Sequence, residues 1–323
     1  MTPTTAPPTG DEDPRRVPAE HPRRRWSFVR RHGRSLALLV VGIIMVVPAA
    51  LMWARVHPPR VPLDDDPGRH GLAYKEIVFA SPLDGTTLRG WYLAAPRPTG
   101  RAVIIVPGID NNRLVGGIAL PLAAELVGDG FDVLAFDLRA QGESGGDTLT
   151  FGAREQDDVL GAVAAVRARG ARHVAVLGFS MGTAASILAA ARTPDIEALV
   201  LDSAFADLSD TLGAGIGSTW HVPGPVVDYA LLLYRVLSGT DPATVVPAEA
   251  IGALAPRPLL FIAGADDTAV KPADGAAMAR AAGPNATYVL VPRAGHTGAY
   301  FVDPEGYADR LRAFLAAALP AGG

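Results

Sequence analysis

The sequence predicts an α/β fold in which a mostly parallel sheet is covered by helices on both faces. Three observations carry that expectation. Apolar runs short enough to be strands alternate with helical runs from about residue 102 onward. Each run is apolar throughout rather than at every second position, as strands buried on both sides are. Finally, Gly178-Phe179-Ser180-Met181-Gly182, a G-x-S-x-G, stands between one such run and an Ala-rich helical run. A sharp strand-to-helix turn there lifts the serine Oγ above the sheet.

Taken in order, residues 74–80 and 86–94 are β-type runs joined across Asp84-Gly85, a hairpin signal. Residues 102–106 form a continuous apolar strand, followed by a helical stretch at 117–127. A strand at 132–136 leads through a polar, Gly-rich loop to a helix at 155–169. The strand at 172–177 and the helix at 183–192 flank the serine. Strands follow at 198–201, 258–263 and 287–291, and a last helix at 304–319. Between two strands, residues 205–249 break the alternation. They carry Gly213, Gly215, Gly217, Pro223, Gly224 and Pro225 and then an apolar stretch. A connection that long and that apolar reads as a small helical cap over the strand ends, which is where ligands bind in sheets of this kind.

Composition excludes several classes. A 323-residue chain with 49% apolar residues can build one large core. The absence of cysteine removes disulfides, thiolate metal sites and a cysteine nucleophile. A net charge of −4 gives no electrostatic reason to expect a nucleic-acid partner. With no phosphate loop, no G-x-G-x-x-G after the first strand and no metal-ligand cluster, neither cofactor nor metal is expected.

The N-terminal region is organised differently. Residues 1–35 are expected to be a disordered, basic segment, rich in Pro, Thr and acidic groups and then in Arg23, Arg24, Arg25, Arg30, Arg31 and Arg34. An uncharged apolar run from Leu36 to Trp53 follows, roughly 27 Å as a helix against a hydrocarbon core about 30 Å thick. Gly42 and Pro48 are tolerated in membrane helices, and Trp26 and Trp53 fall where interfacial aromatics belong. A buried core helix and a cleaved signal peptide are the alternatives. The run is long for a signal peptide, and Met52-Trp53-Ala54 is no A-x-A site. Arg24-Arg25 resembles a twin-arginine signal only loosely, because Ser27 stands where a large apolar residue belongs. Residues 36–54 therefore read as a signal anchor. The arginines place the N-terminus in the cytoplasm and the rest of the chain outside a single-pass cell membrane helix. Residues 55–73, with Pro58, Pro59, Pro62, Pro67 and Asp64-Asp65-Asp66, read as an extended, solvated linker that contributes nothing to a site. The folded domain is expected over 74–320.

Two further motifs lie at strand ends in chain order. The loop after the next-to-last strand reads Gly264-Ala265-Asp266-Asp267-Thr268-Ala269-Val270, and the loop after the last strand contains Gly295-His296. With Ser180, these make residues 74–319 resemble an α/β-hydrolase, whose nucleophile, acid and histidine come in that order. The resemblance to G-x-x-D-x-x-V selects Asp267 over Asp266, and Asp202, after the strand at 198–201, is the other alternative. It implies that Ser180 is the nucleophile, His296 the base and Asp267 the acid that orients it. Two backbone amides should receive the developing oxyanion. One is Met181, after the nucleophile. The other is Ile109, in Pro107-Gly108-Ile109-Asp110-Asn111-Asn112, where relatives usually carry His-Gly-x. Asp137-Leu138-Arg139-Ala140-Gln141-Gly142-Glu143-Ser144 resembles the family's D-x-R-G-x-G-x-S, a structural loop near the site.

The activity implied is that of a small-capped, membrane-anchored serine hydrolase acting on a carboxylic ester or thioester. Serine in place of aspartate disfavours epoxide hydrolase and dehalogenase chemistry. A serine-peptidase-like amide hydrolase and a catalytically silent binding domain remain the alternatives. The apolar cap suits a small-molecule or lipid-like acyl ester, with Trp220 and His221 as candidate substrate contacts, and equally suits simple packing of the cap onto the domain.

Overall fold

The computed structural model describes residues 1–4, 23–220 and 222–319, with the side chains of 23–32, 34 and 218–220 excepted. The chain divides into two units, Met1–Val47 and Pro48–Gly323. A single helix, α1 (Arg23–Val56), runs through the boundary, and its Ser35–Val56 portion is long and apolar enough to cross a membrane. In the first unit, Leu36, Leu38, Leu39, Val46 and Val47 expose apolar side chains.

The second unit is built on β1 (Lys75–Ala80), β2 (Thr87–Leu93) and β3 (Arg101–Val106). Then come α2 (Ala119–Gly128), β4 (Phe131–Phe136), α3 (Glu155–Arg167), β5 (His173–Phe179) and α4 (Met181–Arg192). Strand β6 (Ala198–Asp202) leads into α5 (Leu208–Trp220), α6 (Gly224–Ser238) and the short α7 (Pro247–Ala250). The chain ends with β7 (Leu259–Gly264), α8 (Pro272–Ala282), β8 (Ala286–Val291), the short α9 (Ala299–Val302) and α10 (Pro304–Ala318). Among the described residues, eight strands form one sheet in the order β1-β2-β4-β3-β5-β6-β7-β8. The β1–β2 and β2–β4 pairs are antiparallel and all others parallel. The β1–β2 hairpin turns where expected, with Gly85 at φ 75° and Ser81 N–H bonded to Thr86 O.

Alternation of side chains along each strand sends them to two cores. Ile104, Val106, Val174, Val176, Leu199 and Leu201 face α3, α4 and α8 on one side. Val103, Ile105, Ala175, Leu177, Val200 and Ile262 face α2 and α10 on the other. All six residues of β3, of β4 and of β7 are buried, which explains why these segments are apolar without interruption.

The stretch expected to be a solvated linker is anchored at a few points, and the end of the apolar helix before it is packed. Met52 and Val56 are buried among core residues of the unit, and Leu63 and Leu72 pack on the opposite core. Pro67–His70 forms one 3-10 turn capped by Asp66. The second unit accordingly takes in this stretch, from Pro48 onward. The prolines extend this backbone, but its apolar side chains and carbonyls find partners far along the chain.

Candidate active site

Ser180 sits between β5 and α4 with φ 51° and ψ −117°, a conformation costly for a residue with a Cβ and maintained only by tight surroundings. The surroundings are tight because the flanking residues are glycines. A Cβ on Gly182 would lie 2.5 Å from Val106 O and 2.6 Å from Pro107 O, and one on Gly178 would lie 2.7 Å from Gly182 O. The end of β3 thus presses directly against the elbow.

The loops after β7 and β8 bring Asp267 and His296 to the serine. His296 Nε2 lies 2.8 Å from Ser180 Oγ, and Nδ1 lies 2.8 Å from Asp267 Oδ2. A carboxylate only accepts, so Nδ1 carries the proton and Nε2 accepts the serine hydroxyl. The Asp267 side chain is 2% exposed. Burial opposes its ionisation. The hydrogen bond from His296 and the amides of Val270 and Ala269, each 2.9 Å from Oδ1, outweigh burial and hold its carboxyl below the ordinary value. A chain of this kind can take a proton from the serine as it attacks and stabilise the resulting imidazolium.

The two alternative acids lie elsewhere. Asp266 is exposed. Asp202 is fully buried and accepts hydrogen bonds from Ser203 Oγ and Tyr307 Oη, both at 3.0 Å. Burial pushes its pKa up to about 6. Its neighbour Ser203 supports the histidine loop from beneath, accepting the Thr297 N–H at 2.9 Å.

Met181 follows the nucleophile in the chain, and Gly108, which precedes Ile109, packs against it. A Cβ on Gly108 would lie 3.2 Å from both Phe179 O and Ser180 Cβ, so the 108–109 peptide touches the elbow. No partner within the protein takes the Ile109 or Met181 amide among the described residues, leaving both donors open.

The sequence reading missed the side chains that hold this loop. The Gln141 Nε2–H donates to Gly108 O at 2.7 Å. Arg113, 1% exposed, forks onto the buried Asp137 and reaches Glu143. Asp137 also accepts the Arg113 and Glu143 amides, and Gly142 leaves room for its carboxylate. The D-x-R-G-x-G-x-S resemblance marked Asp137 but left Gln141 at a variable position, and nothing in the sequence paired either with residues on the loop after β3.

Above the strand ends, α5 and α6 form the cap, touching at Gly213 and Val227. Tyr234 of α6 packs edge-on against Phe151, with ring centroids 5.9 Å apart. Trp220 ends α5, but its side chain, like all of His221, lies outside the described residues. His173 pairs with Glu197 at the start of β5, the opposite end of the strand from Ser180.

Comparison with known proteins places the fold. The Pyrococcus furiosus esterase Pf2001 superposes with a TM-score of 0.70 at 26% identity, covering 81% of this chain and 98% of that one. The α/β hydrolase GrgF from Penicillium sp. sh18 shares the fold, with a TM-score of 0.61 at 18% identity over 76% of this chain and 99% of that one. The uncharacterized protein YqkD of Bacillus subtilis (strain 168) is 28% identical over 189 residues, 57% of this chain. The match spans 60% of the length of that curated relative. Residues 103–310, from β3 into α10, match the alpha/beta hydrolase family, and the chain belongs to that family.

Proposed function

We propose that the protein is a membrane-anchored serine hydrolase that cleaves a carboxylic ester or thioester through an acyl-enzyme. The observation that carries this reading is the hydrogen-bonded chain Ser180–His296–Asp267 beside two amides without a partner among the described residues. Ser180 Oγ attacks the carbonyl carbon while His296 Nε2 takes its proton, and Asp267 stabilises the imidazolium. The carbonyl oxygen, now an anion, receives the Ile109 and Met181 N–H groups. Collapse breaks the bond to the alcohol or thiol, which leaves with the proton from His296. Water, deprotonated by His296, then attacks the acyl group, and Ser180 regains its proton as the acid departs.

The proposed substrate is a small-molecule or lipid-like acyl ester. This reading rests on the apolar composition of the cap over residues 205–249. Similarity to an esterase supports hydrolysis of esters over amides. The proposed location is the cell membrane, with the N-terminus cytoplasmic and the second unit outside. It rests on the exposed apolar helix and the arginines preceding it.

A fluorophosphonate probe tests the chemistry, since it forms a covalent adduct with an activated serine. Labelling of the wild type and not of Ser180→Ala is expected. Equal labelling of both, or of neither, refutes the reading.

A further inference from the structure

We propose that Gln141 is a positioning residue for the oxyanion donor Ile109, and that Arg60, in the segment joining the apolar helix to the domain, holds Gln141 in place. This inference rests on the serine hydrolase reading and adds a part to its site.

The Gly108 carbonyl and the Ile109 N–H belong to one peptide unit. In a trans peptide the two groups point in opposite directions within one plane. Gln141 Nε2 donates to Gly108 O at 2.7 Å, so it fixes that plane and turns the Ile109 N–H to the opposite side. Pulling on the carbonyl also polarises the amide and strengthens its N–H as a donor. The reversed amide orientation would place Gln141 Oε1 against the carbonyl oxygen, so the donor assignment follows from the chemistry.

A purely structural role does not account for this residue. Gln141 is 2% exposed, and its Oε1 has no partner. A buried amide satisfied on only one side is costly, and an apolar side chain would fill the same space without that cost. The one hydrogen bond its side chain makes among the described residues goes to the peptide that carries the oxyanion donor.

The loop bearing Gln141 is itself clamped from outside. The Arg60 guanidinium lies among four backbone carbonyls of that loop. Nη1 reaches Gln141 O and Gly142 O at 3.1 Å, together with Ser144 O, and Nη2 reaches Gly146 O at 2.7 Å. A planar fork with several donors suits such a ring of acceptors, where a lysine offers a single point. The same segment grips the oxyanion loop directly. Asn112 Nδ2 donates to Pro62 O at 3.0 Å, and Arg55 pairs with Asp110 at 3.0 Å. The chain leaving the apolar helix is thus built into the support of the oxyanion loop.

Fluorophosphonate labelling of the full-length protein tests this without knowledge of the natural substrate. Ser180 Oγ attacks phosphorus, His296 takes its proton, fluoride leaves, and the phosphoryl oxygen draws on the same amides as an ester oxyanion. Gln141→Met keeps the length of the side chain and removes the donor. Its labelling rate should fall by about 10- to 100-fold, with the shape of the pH–rate profile unchanged and the unfolding temperature close to that of the wild type. Arg60→Ala should lower the rate by about 3- to 10-fold, and the double variant should label no more slowly than Gln141→Met alone, because both act through one peptide. A folded Gln141→Met that labels within twofold of wild type overturns the proposal. Multiplying losses in the double variant overturn the link from Arg60. Should Gln141→Met fail to fold, Arg60→Ala decides: a slower rate in a folded protein supports the proposal, and an unchanged rate refutes it. A wild type that does not label at Ser180 defeats the hydrolase reading itself, a different result from all of these.

Discussion

His296 turns its Nδ1 to Asp267 at 2.8 Å, while Asp202, buried at the end of β6, has its two carboxylate oxygens engaged by Ser203 and Tyr307. Two carboxylates thus lie near one imidazole with opposite tendencies. Hydrogen bonds favour the charged form of Asp267, and burial favours the neutral form of Asp202. Replacing each should have different consequences. Asp267→Asn should lower ester turnover at least about a hundredfold, and Ser180→Ala or His296→Ala by roughly 10³ or more, all with folding retained. Asp202→Asn should stay within about tenfold of wild type. Steady-state rates on a p-nitrophenyl ester decide the matter, and a silent Asp267→Asn beside a severe Asp202→Asn would transfer the role of the acid.

The two acids also act on stability with opposite signs. Asp267 has a depressed pKa in the folded protein, so its contribution is present above its unfolded value of about 3.9 and is lost as pH falls below that. Asp202 has a folded pKa of about 6, above the unfolded value. Its contribution is present below about pH 4 and lost as pH rises through 6, on the order of 3 kcal/mol. Asparagine at 202 is neutral throughout. The unfolding temperature of Asp202→Asn relative to wild type should therefore rise between pH 4 and pH 7. An offset that does not change across that interval would show that Asp202 does not titrate there.

Gly182 tests the packing of the elbow. The Cβ of alanine would meet two backbone carbonyls, Val106 O and Pro107 O, neither of which can swing aside as a side-chain tip can. Gly182→Ala should cost about 1–3 kcal/mol through overpacking. It should also slow turnover by about a hundredfold, because displacing the end of β3 moves both Ser180 and the Ile109 amide. Normal activity with lowered stability would mean that the strain relaxes away from the site.

What could be read in the sequence was whatever a strand end announces. Ser180, Asp267 and His296 each follow an apolar run, and the runs themselves set the order of the loops. The hairpin at Asp84-Gly85 and the cap over 205–249 announced themselves through turn residues and length. The support of the oxyanion loop was not legible, because Arg60 binds backbone carbonyls 81 to 86 residues away and a carbonyl has no sequence signature. Helix α8 was equally quiet, since Pro272, Asp274 and Gly275 in its first turns resemble a loop. Prolines and aspartates in residues 58–67 describe the local backbone correctly and say nothing of what it lies against.

The proposed topology has its own test. Protease added to intact cells or spheroplasts should degrade the second unit and leave an epitope at the N-terminus protected, because the arginines preceding the apolar Ser35–Val56 portion of α1 hold that end in the cytoplasm. Protection of the second unit with an accessible N-terminus would reverse the orientation.

Truncation separates the packed segment from the anchor. A protein beginning at Pro48 keeps Met52 and Val56, both buried, together with Arg55 and Arg60. One beginning at Leu72 loses all four, and Leu63 with them. Each buried side chain removed leaves a cavity or exposed core surface costing about 2–5 kcal/mol. The Arg55–Asp110 pair contributes little by comparison, since both side chains are half exposed. The shorter protein should therefore unfold at a temperature lower by roughly ten degrees or more, for a unit of this size and a loss of several kcal/mol. It should also label more slowly with fluorophosphonate at temperatures where it is still folded. Thermal unfolding of the two proteins side by side measures the first effect, and labelling well below both transitions measures the second. If the Leu72 protein matched the Pro48 protein in both, residues 48–71 would be the passive stalk that their prolines suggest, and the contacts of Met52, Val56 and Arg60 would carry no weight.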